Sequence, residues 1–252
     1  KPREHMKRPT TYAFLAASLL GSSQGAILTF SDDFSGPLDE AWRQESFEGG
    51  HLGISDGKYG LTANQGGGSN PKLTRSTTGD LDSSYETSIS VVFSQFGFGG
   101  DNTQSDFKWK SFGKDGFMEI VLNSFGDMRL YHNDSDGGGG NIQPNTRIAV
   151  ANGDLLTLSN AYNATSDTIE LTYSVNGGDA MAFYSGGGID GPIGDLASNF
   201  VQVEVFKWGA SEFKPNLGID DWSLKTSGDA VPEPSSIALI SLAGLFLLRR
   251  RK

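Results

Sequence analysis

The strongest constraint on this chain is a recurring pattern of short β-branched and aromatic runs separated by clusters of Gly, Asn and Asp, with almost no helical periodicity. The runs fall at 26–30, 51–54, 58–62, 72–75, 85–98, 116–123, 128–132, 154–162, 168–175, 180–184, 200–208 and 217–225. Roughly a dozen strands at hairpin spacing argue for a β-sandwich and against an alternating βαβ fold. Asn163-Ala164-Thr165-Ser166-Asp167 and Asn176-Gly177-Gly178-Asp179 supply residues that accept positive φ, as tight hairpin turns require. Glycine runs at 66–68, 137–140 and 186–188 read as long loops. With no cysteine, the fold has no disulfide to lean on, and thiol catalysis and Cys-ligated zinc are excluded.

The two ends differ from this pattern. Met6-Lys7-Arg8 open a basic stretch, an apolar run covers 12–20, and Ser23-Gln24-Gly25 place small residues at a cleavage position. Residues 1–25 therefore read as a secretory signal peptide. At the other end, a short polar linker (227–230) leads into Val231-Pro232-Glu233-Pro234, an apolar run over 237–248, and Arg249-Arg250-Arg251-Lys252. Twelve small or apolar residues in a helix span ~18 Å, less than the ~30 Å hydrocarbon core. Terminal cations would stay on the cytoplasmic side, and their long stems would reach across the deficit. The order of turn, short apolar helix and basic stop over 231–252 resembles the PEP-CTERM sorting signal. That resemblance implies transient retention in the inner membrane, processing by an exosortase-type enzyme, and a final place at the cell surface or in the extracellular matrix.

The charge of the middle is masked by these ends. The chain has 20 basic and 30 acidic residues. The two end segments hold eight of the cations and only Glu4 and Glu233 of the acids, so the middle carries 12 against 28, a net charge near −16. Such a surface repels nucleic acid and anionic lipid and suits cations or neutral, hydroxyl-rich partners.

Three segments of the middle resemble a concanavalin A-like jelly roll. Asp32-Asp33-Phe34-Ser35-Gly36, followed by Leu38-Asp39 and Trp42, is similar to its opening; 153–177 is similar to its central hairpin; Ile219-Asp220-Asp221-Trp222-Ser223-Leu224 is similar to its closing strand. The resemblance implies an all-β jelly-roll sandwich over 26–226. Its relatives include both lectins and glucanases, so function must be argued from the site.

Retaining glucanases of this fold carry their carboxylates at alternate positions of one strand, about 5–5.5 Å apart. No strand here repeats that spacing: Glu119, Glu170 and Glu204 each stand alone on theirs, and Glu119 and Glu204 would form a pair only by converging from neighbouring strands. Gly21-Ser22-Ser23-Gln24-Gly25 matches a nucleophile elbow but lies in the signal peptide, and Gly186-Gly187-Gly188-Ile189-Asp190-Gly191 opens no helix because Pro192 follows. The expectation is a non-catalytic protein, with a divergent glycoside hydrolase or a structural matrix protein as the alternatives.

Two kinds of ligand suit the remaining residues. Calcium takes hard oxygen donors. Asp33 and Asp221 would meet where the first and last strands of a jelly roll adjoin, and Asp134 and Asp136 have calcium-loop spacing. Capping of turn amides by the same aspartates is the equal alternative at the seam. Sugar binding needs exposed rings to stack on pyranose faces, with carboxylates and amides for the hydroxyls. Phe107 and Trp109, in the segment after the polar loop 99–106, are the first candidates; Tyr131 and Trp208 follow, whereas Trp42 and Trp222 lie in the terminal motifs and read as core. An extracellular polysaccharide is the expected partner.

Overall fold

A computed structural model describes residues 27, 29–45, 50–64, 70–76, 84–98, 105–113, 116–134, 139–163, 165–166, 168–187, 200–208 and 212–226. The expected signal peptide (1–25) and sorting tail (231–252) lie outside these residues. Ile27–Val231 make one compact unit. Among the described residues every regular element is a strand: β1 (Thr29–Asp32), β2 (Trp42–Glu45), β3 (Gly50–Ser55), β4 (Lys58–Thr62), β5 (Lys72–Ser76), β6 (Tyr85–Gln95), β7 (Ser105–Gly113), β8 (Gly116–Asn123), β9 (Asp127–Asp134), β10 (Gly139–Arg147), β11 (Leu155–Asn163), β12 (Thr168–Val175), β13 (Met181–Gly187), β14 (Phe200–Lys207) and β15 (Asn216–Thr226).

They form two antiparallel sheets, as the sequence pattern predicts. Sheet A runs β13-β12-β11-β6-β15-β4-β3, with β1 also paired to β15; sheet B runs β10-β9-β8-β7-β14-β5-β2. The order follows from local and distant pairings together. Hairpins such as β12–β13 close over the Asn176-Gly177 turn, where φ is +53° and +70°. The first and last strands lie side by side, with Thr29 opposite Lys225 and Asp32 opposite Trp222.

Alternation sorts each strand into an inner and an outer row. On β11 the inner row is Leu156, Leu158, Asn160 and Tyr162; on β6 it is Tyr85, Thr87, Ile89, Val91 and Phe93; on β14 it is Val201, Val203 and Val205. Each large apolar side chain withdrawn from water in this way contributes about 1.5–3 kcal/mol. Trp42 and Trp222 are core residues, meeting edge to face at 5.3 Å. The Arg75 guanidinium packs over both rings (5.3 and 5.2 Å) and reaches Asp39 at 2.8 Å, so one cation ties β5 to β2, to β15 and to the segment before β2.

Candidate functional site

The segment 105–113 is a strand and not a loop, which corrects the placing of the first two ring candidates. In the run Phe107-Lys108-Trp109-Lys110-Ser111 the aromatics take the inner row of β7: Phe107 is 0 % and Trp109 3 % exposed. Neither ring has a face to offer a sugar. The lysines between them mark a half-buried strand, whose polar alternates point outward. What β7 presents on the outer face of sheet B is therefore Asp106, Lys108, Lys110 and Phe112.

Register fixes what stands beside them. Lys110 is opposite Glu119 of β8 on one side and Gln202 of β14 on the other, and Glu119 is in turn opposite Tyr131 of β9. Glu204 lies diagonally from Lys110. The Lys110 ammonium sits 3.3 Å from Glu119 Oε2 and 3.2 Å from Glu204 Oε2, so one cation holds two carboxylates from strands that are not neighbours. Glu204, 2 % exposed, also accepts from Asn70 Nδ2 at 2.8 Å. Its Oε2 contact with Lys110 is one of charge, without the alignment of a hydrogen bond. Gln202 Nε2 donates to Thr74 Oγ1 at 3.1 Å and extends the polar row to β5.

Rings frame this polar centre. Phe117 packs on Phe112 (5.6 Å) and Tyr131 (6.4 Å), and Lys110 lies 5.3 Å over the Phe117 ring. On the other flank Lys108 lies 4.9 Å over Phe206, which meets Trp208 at 4.5 Å. Trp208 is 46 % exposed, and its Nε1 donates to Asp106 Oδ2 at 2.9 Å. Burial pushes the Asp106 carboxyl above its ordinary range, against the pull of the Trp208 hydrogen bond. Tyr131 and Trp208 thus share the outer face of sheet B, at its two flanks. The Glu119–Lys110–Glu204 cluster escapes strand-by-strand reading, because it depends on β14 lying next to β7.

The seam between β1 and β15 brings Asp33 close to Asp221. Partial burial, then the neighbouring Asp220, Asp33 and Asp32, hold the Asp221 carboxyl above its ordinary range. The other acids are engaged. Asp33 Oδ1 accepts from the Ser35 amide (3.0 Å) and hydroxyl (2.7 Å), which holds its carboxyl below the usual range. Asp32 accepts from the Phe34 amide and Trp42 Nε1, both at 2.8 Å, and Asp220 pairs with Lys58 at 2.9 Å. This is turn capping, and it does not fit a six-to-eight-oxygen calcium cage. Among the described residues no group of three or more His, Cys, Asp or Glu is placed to share a metal ion. Asp134 ends β9, but its side chain and all of Asp136 lie outside the described residues.

The architecture is that of a legume-lectin-like jelly roll. The fold is similar to basic winged bean lectin solved with Tn-antigen (TM-score 0.54, 11% identity, 80% of this chain and 99% of that one). It is similar to peanut lectin solved with a 9mer peptide (0.55, 11%, 81% and 98%) and to the carbohydrate recognition domain of Emp47p (0.53, 14%, 79% and 94%). At these identities the likeness shows the fold alone. No curated protein matches the chain in sequence. Residues 230–252 match the PEP-CTERM protein-sorting motif, so the chain carries that signal at Val231-Pro232-Glu233-Pro234 and Arg249-Arg250-Arg251 behind a lectin-like domain.

Proposed function

We propose that this protein is exported, processed through its tail by an exosortase-type enzyme, and placed at the cell surface or in the exopolysaccharide layer. There it binds a neutral, hydroxyl-rich polysaccharide on the outer face of sheet B without cleaving it. The observation that carries the binding reading is the Lys110-centred cluster framed by rings: carboxylates and amides satisfy sugar hydroxyls, and Tyr131 and Trp208 offer faces to pyranose rings. The sorting motif and the lectin-like fold support export and carbohydrate binding respectively.

The convergence of Glu119 and Glu204 also favours a second reading, a divergent glycoside hydrolase. Against it stands the position of Lys110. Cleavage needs the reacting sugar carbon between the two carboxyls, and here that place holds an ammonium. A calcium requirement belongs to the same proposal, with Asp134 and Asp136 as its residues, since the seam of Asp33 and Asp221 does not fit a calcium cage.

The test is polysaccharide pull-down with the full chain in detergent, in millimolar calcium and then in EDTA. Retention of one glycan class, lost in Tyr131→Ala and Trp208→Ala variants that keep the far-UV CD of the parent, is the expected result. Loss in EDTA would support calcium, together with a calcium-dependent rise in Tm. Release of reducing ends during the incubation would replace binding with hydrolysis, and no retention with the fold intact would leave a structural matrix protein.

A further inference from the structure

A cleft of 560 Å³ lies away from sheet B. It lies at one end of sheet A, where β6, β11, β12 and β15 finish. Three outer-row residues in direct register build it: Glu170 of β12, Ala161 of β11 and Glu86 of β6, with Lys225 of β15 next in the row. Adjacent strands are about 4.8 Å apart, so the two glutamates stand about 10 Å apart with only a methyl group between them. Both are exposed. Tyr85 and Tyr162 border the cleft through the strands, but both belong to the inner rows, and their rings, packed at 5.5 Å, face the core.

One step further along the strands the outer row is Thr172, Ser159, Ser88, Ser223 and Ser31, again in direct register across five strands. Its members bond to one another, as Ser88 Oγ does to Ser223 Oγ at 2.8 Å. A chain leaving the cleft across the strands meets short hydroxyls and no bulky side chain. The volume lies within the ~300–1,000 Å³ of small-molecule sites. Two carboxylate acceptors, a lysine donor and an adjoining hydroxyl row are the chemistry of an uncharged oligosaccharide.

We infer that this cleft is a second carbohydrate site, with Glu86 and Glu170 as acceptors on either side of Ala161. It stands apart from the sheet B reading and takes the same class of ligand on the opposite sheet, so one molecule would join two glycan chains. Such bivalency raises avidity by effective concentration, without any new contact.

Native mass spectrometry of the full chain in detergent micelles, with gluco-, galacto- and mannohexaose as probes, tests it. The expected result is two molecules of one hexasaccharide per chain. Ala161→Trp fills the gap and reduces this to one, as does Tyr131→Ala on the other sheet. If the tryptophan disturbs folding, the isosteric pair Glu86→Gln and Glu170→Gln decides: it weakens one of the two sites about tenfold or more, with unchanged CD. Wild-type stoichiometry and affinity in the glutamine pair overturns the inference, and so does failure of all three probes to bind. A loss confined to Tyr131→Ala overturns the cleft and keeps the sheet B site. A loss confined to the cleft variants supports the cleft and removes the sheet B site.

Discussion

The outer faces of the two sheets carry the same motif with opposite consequences. On sheet B, Glu119 and Glu204 flank β7, and the side chain from that middle strand is Lys110, in contact with both. On sheet A, Glu170 and Glu86 flank β11, and the side chain from the middle strand is Ala161. A lysine in the middle closes the gap and neutralises the pair, which allows the carboxylates to be buried. An alanine leaves them apart, hydrated and facing a cleft. The residue on the central strand, more than the acids themselves, decides whether two carboxylates are held together around a cation or stand apart in water.

The sharpest way to break that contrast is Lys110→Ala. It leaves two buried carboxylates without their cation and should cost about 3–5 kcal/mol, a fall in Tm on the order of 10 °C for a domain of this size. If thermal unfolding shows a loss no larger than that of Ala161→Ser on sheet A, expected within about 0.5 kcal/mol, the two faces are alike and the argument fails. Replacing Lys110, Glu119 and Glu204 together by Met, Gln and Gln should recover most of the loss, because no unpaired charge then remains.

Trp208→Ala comes next. It removes the donor to the buried Asp106 and a ring packed on Phe206, for a cost of about 1–3 kcal/mol by urea unfolding. Asp106 itself gives a pH signature. Its carboxyl is raised above the unfolded value of 3.8, so the folded state binds that proton more tightly. Stability from this group is present at low pH and is lost as pH rises from 3.8 through the raised value. Asp106→Asn, which still accepts from Trp208, should therefore gain more stability over the parent at pH 7 than at pH 4. Equal differences at the two pH values would contradict the burial argument. Smallest of all, Glu86→Gln with Glu170→Gln should leave Tm within about 1–2 °C of the parent, since exposed charges contribute little.

Much of this architecture was legible in the residues. The hairpin turn at Asn176-Gly177, the core tryptophans Trp42 and Trp222, and the meeting of the first and last strands all follow from local chemistry and from the order of the motifs. The phase of β7 was legible too: Phe-Lys-Trp-Lys is an alternating pattern, hidden only because a polar loop precedes it. The convergence of Glu119 and Glu204 was legible only as an alternative, without Lys110 between them, and the pair of Glu86 and Glu170 was not legible at all. A strand announces its two faces by period, but its neighbours come from topology, and β14 reaches β7 from some ninety residues away. Glu86, Ala161 and Glu170 are unremarkable singly and become a site only when three strands align. The aspartates of the seam suit two chemistries equally on paper, and coordinates with Ser35, Trp42 and Lys58 in place favour the capping one.

The pairing of β1 with β15 has a mechanical consequence. Thr29 and Lys225 face each other, so the strand that enters the domain and the strand that leaves toward the sorting motif pass the same end of sheet A, beside the cleft. A pull from a tether attached beyond Thr226 runs along β15, which is bonded to β6 over its length and to β4 and β1 on its other edge. Such a load must shear many hydrogen bonds together, which resists far more than peeling them one at a time.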